Sequence, residues 1–274
     1  MKACAVILGG GSGTRMGAKQ NKIFLPLRGV PAIVRAAAPF TGLCAEAVVA
    51  ARPEELEDMR ALLRRYGLDS FVKKVVPGGS TRQESVRHGL DALPGDTDIV
   101  LIHDGARALV TEDVIRRAME SAAERGSGVA AIPVTDTIKR VDSNGRALET
   151  LNRDELRAMQ TPQAFRLSLL RQAHEKAEKD GFLGTDDAAL LEHAGLPVYL
   201  TLGDPENLKL TTPADLALGE AILTLAELLR KGVGPDWQTA VNRLPNLQSR
   251  LAWLVERVER LTGLDRFGTY LTLL

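Results

Sequence analysis

The clearest chemical signal in this sequence is the run Gly9-Gly10-Gly11-Ser12-Gly13-Thr14-Arg15-Met16-Gly17, with Lys22 five residues beyond it. Glycines in succession leave backbone N–H groups free to converge on an anion, because no Cβ blocks the approach. Two phosphate fingerprints can be tested against the run. A Walker A loop needs Gly-Lys-Ser/Thr at a fixed spacing, and none follows. A dinucleotide fingerprint built on Gly9 and Gly11 needs a third glycine at Thr14, and the next strand-like run ends in Arg52 and not in an acid for a ribose hydroxyl. What remains is a glycine loop rimmed by Arg15 and Lys22, a combination suited to a polyphosphate.

A second candidate is Asp104, at the end of the apolar run Asp98–His103. An acid at the carboxyl end of a parallel strand can hold Mg²⁺, which takes oxygen ligands and keeps waters and substrate phosphates. It can equally cap a following helix. His103, beside it, reads as a packed or hydrogen-bonded histidine. Arg82 and Ser85 follow Gly79, Arg153 follows a polar segment, and Lys209 follows a strand-like run. Each of these, taken alone, reads as an ordinary solvated residue, and Arg82 gains nothing from a helix dipole in its first turn. With four histidines and no Ser–His–Asp order or metal-ligand spacing, histidine acid–base chemistry is not indicated.

The elements that would position these residues alternate. Ala3–Leu8 reads as a strand, Pro31 opens a helix to about Phe40, 45–51 is a strand and 53–66 a helix. Val72–Val76 ends in Pro77-Gly78-Gly79, and Thr81 with Glu84 forms a capping-box pattern for the next helix. Val129–Val134 is a further strand. The expected fold is α/β: a Rossmann-like, mostly parallel twisted sheet with helices on both faces. Between 136 and 151 the pattern changes to two polar arms around Asn144-Gly145, the signature of a protruding β-hairpin. Arms this polar bury little alone, so the hairpin is expected to lean on something else, such as a second subunit. Helical and strand-like runs resume at 167–179, 198–202 and from Pro213. Gly232, Gly234 and Pro235 then break the chain, and Leu247–Leu261 reads as an amphipathic helix. The expected domains are 1–225 and a C-terminal helical extension, 226–274.

Bulk properties set limits. The 35 basic and 35 acidic residues cancel, so a polycationic surface for nucleic acid is not expected. Cys4 and Cys44 have no metal-ligand spacing and read as thiols of a reducing compartment. No signal peptide is read at the amino terminus and no apolar run reaches membrane length, so the expected location is the cytoplasm.

Taken in order, GGGSGTRMG with NKIFLPLRG, GGSTRQES, HDGAR, PVTDTIKR, NRDELRAMQTPQAF, GFLGTDDA and NLKLTTPADLALGEAI resemble the 2-C-methyl-D-erythritol 4-phosphate cytidylyltransferases, over about residues 2–225. The resemblance implies transfer of CMP from CTP to 2-C-methyl-D-erythritol 4-phosphate, with Mg²⁺ as cofactor and a homodimer formed through the hairpin. It implies that Gly9, Gly10, Gly11 and Gly13 wrap the nucleotide while Arg15 and Lys22 hold the triphosphate. Gly79, Ser80, Arg82 and Ser85 would line the cytidine side, with Gly105 close by. Asp104 would hold the metal, Lys209 would bridge phosphates, and Arg107, Thr137, Arg153 and Thr161 would surround the acceptor. The chain departs from the family habit at Gly9-Gly10, Asn21, Ala108 and Arg157, none of them a catalytic cation or acid. A ribitol 5-phosphate cytidylyltransferase and a non-catalytic nucleotide-binding regulator stand as alternative readings.

Overall fold

A computed structural model describes residues 1–11 and 21–233, with side chains to 227. In chain order the elements are β1 (Ala3–Leu8), the short β2 (Pro26–Leu27) and β3 (Val30–Pro31), α1 (Ala32–Ala37), β4 (Glu46–Ala51), α2 (Leu56–Arg65), β5 (Val72–Pro77) and α3 (Arg82–Asp91). Then come β6 (Ile99–Asp104), α4 (Glu112–Arg125), β7 (Ser127–Pro133), β8 (Lys139–Val141), β9 (Ala147–Thr150) and β10 (Arg157–Arg166). The described chain closes with α5 (Leu167–Asp180), α6 (Asp187–His193), β11 (Leu200–Leu202) and α7 (Pro213–Val233).

Seven strands form one sheet in the order β11-β7-β10-β6-β1-β4-β5. All pairs are parallel except those of β10, which runs antiparallel to both β6 and β7. The central strands earn their place by composition: 3–7 of β1 and 99–102 of β6 are apolar on both faces and buried, as parallel strands covered by helices must be. One face packs Val6, Val48, Val100, Val129 and Phe165 against Val86, Leu90, Leu170 and Leu190 of α3, α5 and α6. A fully buried side chain the size of Phe165 contributes about 1.5–3 kcal/mol.

Three local expectations change in detail. Thr81 caps α3 by accepting the Glu84 N–H at 3.1 Å, but the Glu84 carboxylate reaches past it to the Ser80 N–H and hydroxyl, both at 2.7 Å. The reciprocal half of the box is therefore shifted back by one residue. The hairpin forms as β8 paired antiparallel with β9, apart from the main sheet. Its turn is wider than a two-residue Asn-Gly turn: the Asp142 carboxylate accepts the Asn144 and Arg146 N–H groups, and Gly145 alone takes a positive φ, +80°. Gly232 does not break the chain, because α7 continues to Val233 and so passes residue 225 without interruption.

The chain divides into two compact units, Met1–Leu25 with Pro31–Lys209, and Pro26–Val30 with Leu210–Leu274. In the second, the Asp215 carboxylate gathers the Thr211 N–H and hydroxyl and the Thr212 N–H at 2.7 Å each, fixing the start of α7. Arg28 there pairs with Glu227 at 2.6 Å. The expected helix Leu247–Leu261 lies outside the described residues. Among the described residues no helix is long and apolar enough to cross a membrane.

Candidate active site at the carboxyl edge of the sheet

Because six of the seven strands run one way, the segments that follow them leave from one edge of the sheet, where ligands of open α/β sheets bind. β1 delivers Gly9, β4 delivers Arg52, β5 delivers Gly78-Gly79 and the start of α3, and β6 ends in Asp104. β7 leads into Thr137 and the hairpin. Antiparallel β10 starts from the same edge just after Arg153, and the segment after β11 carries Lys209.

Asp104 is the hub. It is 8% exposed, its Oδ2 lies 2.6 Å from Lys209 Nζ, and its Oδ1 lies 3.6 Å from Arg82 Nε. Burial pushes this carboxyl up, but the charges of Arg82 and Lys209 outweigh it and hold the group at about 2. Asp104 does not cap a helix: a turn follows, closed by the Arg107 N–H to Asp104 carbonyl bond at 2.9 Å, and α4 is entered at Thr111. The cap reading of this acid therefore does not hold. Gly105 is required by close approach, since a Cβ there would stand 2.4 Å from Ile33 Cδ1 and 2.9 Å from the Leu8 carbonyl.

Behind Asp104 lies a neutral hydrogen-bond chain. His103 is fully buried against Phe40, which lowers its imidazole to about 4. Its Nε2 meets the Arg107 carbonyl at 3.2 Å, so Nε2 carries the proton. Nδ1 then accepts the Thr161 hydroxyl at 3.0 Å, whose oxygen accepts the Asp104 N–H at 3.0 Å. Thr161 thus braces Asp104 from behind. Arg107 donates to the Asn207 carbonyl at 2.6 Å and the Met159 carbonyl at 3.2 Å, clasping the segment that carries Lys209 to β10. Asn207 and Gln160, both buried, complete that clasp at the Thr161 and Asp204 carbonyls, 2.8 Å each.

The other expected residues are placed with varying directness. Ser85 donates to the Thr81 carbonyl at 2.8 Å and accepts the Gly79 N–H at 3.0 Å, so it shapes the Gly78-Gly79 turn. Ser80 is exposed and bound to Glu84. Gly10 and Gly11 are exposed at the crest, whereas Gly9 is held down through its N–H to the Ala50 carbonyl at 2.7 Å. Thr137 is exposed at the root of the hairpin, and Arg153 is exposed with a 2.9 Å bond to the Thr135 carbonyl. Lys22 begins a 3₁₀ turn. Gly13 and Arg15 lie outside the described residues.

Sequence reasoning missed several supports. Asn21 is buried and donates to the Gly9 carbonyl and to Glu55 Oε2, both at 2.8 Å, fixing the backbone beside Lys22 to the end of β1. Arg52 donates to the Gly11 carbonyl at 2.7 Å. Asp187 pairs with Arg82 at 2.7 Å. The only signal for Arg52 was its position just past β4, and for Asp187 its place in the GTDDA segment.

A metal can be weighed against this donor set. Among the described residues no three His, Cys, Asp or Glu side chains are grouped to hold an ion. One ionised carboxylate at the crest does not make an all-protein cage, but it fits Mg²⁺ shared with substrate phosphates and water.

Residues 3–225 match the family described as 2-C-methyl-D-erythritol 4-phosphate cytidylyltransferase. A relative of that name from Halalkalibacterium halodurans is 48% identical over 229 residues, which is 83% of this chain and 99% of the relative. The solved 2-C-methyl-D-erythritol 4-phosphate cytidylyltransferase from Thermus thermophilus superposes with a TM-score of 0.67 at 31% identity, covering 82% of this chain and all of that one. A 4-diphosphocytidyl-2C-methyl-D-erythritol synthase from Anaerococcus prevotii gives a TM-score of 0.69 at 28% identity, over 81% of this chain and 98% of its own.

Proposed function

We propose a function from one premise: this chain belongs to the 2-C-methyl-D-erythritol 4-phosphate cytidylyltransferase family. Its reaction is transfer of CMP from CTP to 2-C-methyl-D-erythritol 4-phosphate, with release of pyrophosphate, in isoprenoid biosynthesis. The observation that carries the reading is Asp104 between Lys209 and Arg82 at the carboxyl edge of the sheet.

An oxygen of the acceptor phosphate attacks the α-phosphorus of CTP. The new P–O bond forms as the bond to the β-phosphate bridging oxygen breaks, and the electron pair leaves with pyrophosphate. A phosphate monoester has a second pKa of about 6, so its dianion needs no general base at pH 7. His103, buried and engaged at both nitrogens, is not a candidate for one. The barrier is charge, because a dianion approaches a polyphosphate. Lys22, Lys209 and Arg15 are the cations assigned to neutralise it, with the glycine loop wrapping the nucleotide. Gly79, Ser80, Arg82 and Ser85 line the cytidine side, and Arg107, Thr137, Arg153 and Thr161 surround the acceptor. Asp104 is the protein ligand for Mg²⁺, which when bound supplies charge neutralisation and a template for the leaving group.

Residues 1–225 carry this activity, with 226–274 as an extension. The hairpin joins two copies, a reading supported by Val141 and Leu148, each 54% exposed on its arms. Two unpaired buried cysteines fit a reducing, cytoplasmic location. The test is pyrophosphate release with CTP and Mg²⁺ against a panel of acceptors. Methylerythritol phosphate is expected to turn over and ribitol 5-phosphate to lag far behind; the reverse order reassigns the acceptor, and no release with any acceptor rejects the function. Sedimentation of the same protein at twice the chain mass supports the dimer, and a monomer rejects it.

A further inference from the structure

We infer that Asp187, which among the described residues reaches the site through Arg82, is the positioning residue that holds the Arg82 guanidinium against Asp104. The inference rests on the reading that Arg82 lines the cytidine side.

Arg82 is the first residue of α3, where the helix dipole disfavours a cation. Its place is justified by two acids instead. Nη1 lies 2.7 Å from Asp187 Oδ2, and Nε lies 3.6 Å from Asp104 Oδ1. One rigid fork therefore spans two carboxylates that belong to different elements, and a guanidinium is built for that geometry. The Asp187 side chain is 1% exposed, and a buried carboxylate is retained only with a partner.

A purely structural role for Asp187 would be to cap α6. That role is already filled by Asp186, whose carboxylate accepts the Ala189 N–H at 2.9 Å. The Asp187 carboxylate is thus left to Arg82. Its mount is rigid: Gln163 Oε1 accepts the Asp187 and Ala188 N–H groups at 3.1 Å each, and Gln163 Nε2 donates to Asp186 at 2.7 Å. Gln163 lies on β10, the strand that also supplies Thr161 behind Asp104, so both acids are referenced to one strand. The other acid-facing group, His174, stands 4.0 Å from Asp187 Oδ1, and burial lowers its imidazole, keeping it neutral. Arg82 is then the cation that Asp187 holds.

The experiment is a double-mutant cycle of Asp187→Asn on the wild-type and Arg82→Gln backgrounds. On the wild-type background, kcat/KM for CTP is expected to fall about 10- to 100-fold, the usual cost of losing the partner behind a working side chain, and KM for the acceptor is expected to move little. On the Arg82→Gln background the same change is expected to cost less than about twofold. Equal losses on both backgrounds, or a lowered melting temperature with unchanged kinetics, overturn the inference. Should Asp187→Asn fail to fold, the same cycle with Asp187→Glu keeps the charge while displacing it, and the same two outcomes decide. If the wild type turns over no CTP, the functional reading fails separately. The Arg82 Nε–H resonance in arginine-labelled protein then decides: resolved and slow to exchange in the wild type but not in the variant supports positioning, and unchanged overturns it.

Discussion

At the carboxyl end of β6, Asp104 lies nearly buried between Lys209 and Arg82. On the hairpin, Arg140 and Glu149 face each other across β8 and β9 at 2.5 Å with about half or more of each side chain in water. Asp104–Lys209 at 2.6 Å and Arg140–Glu149 at 2.5 Å are both short, and distance does not tell them apart. Solvent does. Exposed pairs are screened and repay little of the entropy of ordering two long side chains. At the β6 edge the Asp104 side chain is only 11% exposed although that of Lys209 is 42% exposed, and a shielded carboxylate that loses its partner is left uncompensated. The edge of β6 therefore stores a field that can act on phosphates, while the hairpin presents a polar ribbon with Val141 and Leu148 uncovered.

The largest effect is expected at the edge. Lys22→Ala should lower turnover on the order of 10²-fold or more while leaving the melting temperature near that of the wild type. Lys209→Ala should lower turnover as much and also lower the melting temperature, because it strips the nearly buried Asp104 carboxylate of its nearest cation. Steady-state pyrophosphate release checks this, and near-normal turnover would remove that lysine from the chemistry.

A smaller, pH-dependent effect concerns stability. The folded state holds Asp104 at about 2, below the unfolded value of about 3.9. Its charged form is thus favoured by folding, and its contribution is complete above about pH 4 and lost as pH falls toward 2. Melting curves of Asp104→Asn should lie below the wild type at pH 5–7 and converge with it near pH 2. A gap that stays constant over that range would break the contrast with the hairpin.

The smallest effect belongs to the hairpin pair. Arg140→Ala should shift unfolding free energy by no more than about 0.5 kcal/mol in denaturant titrations. A loss of several kcal/mol would mean that water does not separate the two regions as argued.

What the sequence could disclose follows the same division. β1 and β6 announce themselves as unbroken apolar runs, and Asp104 stands out because a charge ends such a run. β10 escapes notice because Arg157, Ala158 and Met159 are exposed, and Pro162 falls inside a register shift between Met159 and Gln163. Within its buried half, 160–165, Gln160, Thr161 and Gln163 are polar because they serve hydrogen bonds that no local pattern displays. The pairings that aim the site are equally hidden. Arg82 meets Asp187 across 105 residues, and Asn21 meets Glu55 across 34. Residue types can suggest that a cation and an acid matter, but only the register of the sheet says which pair will meet.

We propose that the carboxyl edge, with the glycine loop and its lysines, cradles a nucleoside triphosphate. Titration calorimetry of the full chain with CTP and Mg²⁺ tests it most directly. Saturable binding of one CTP per chain is expected, weakened strongly by Lys22→Ala. Absence of any heat of association with the folded wild-type protein would contradict it.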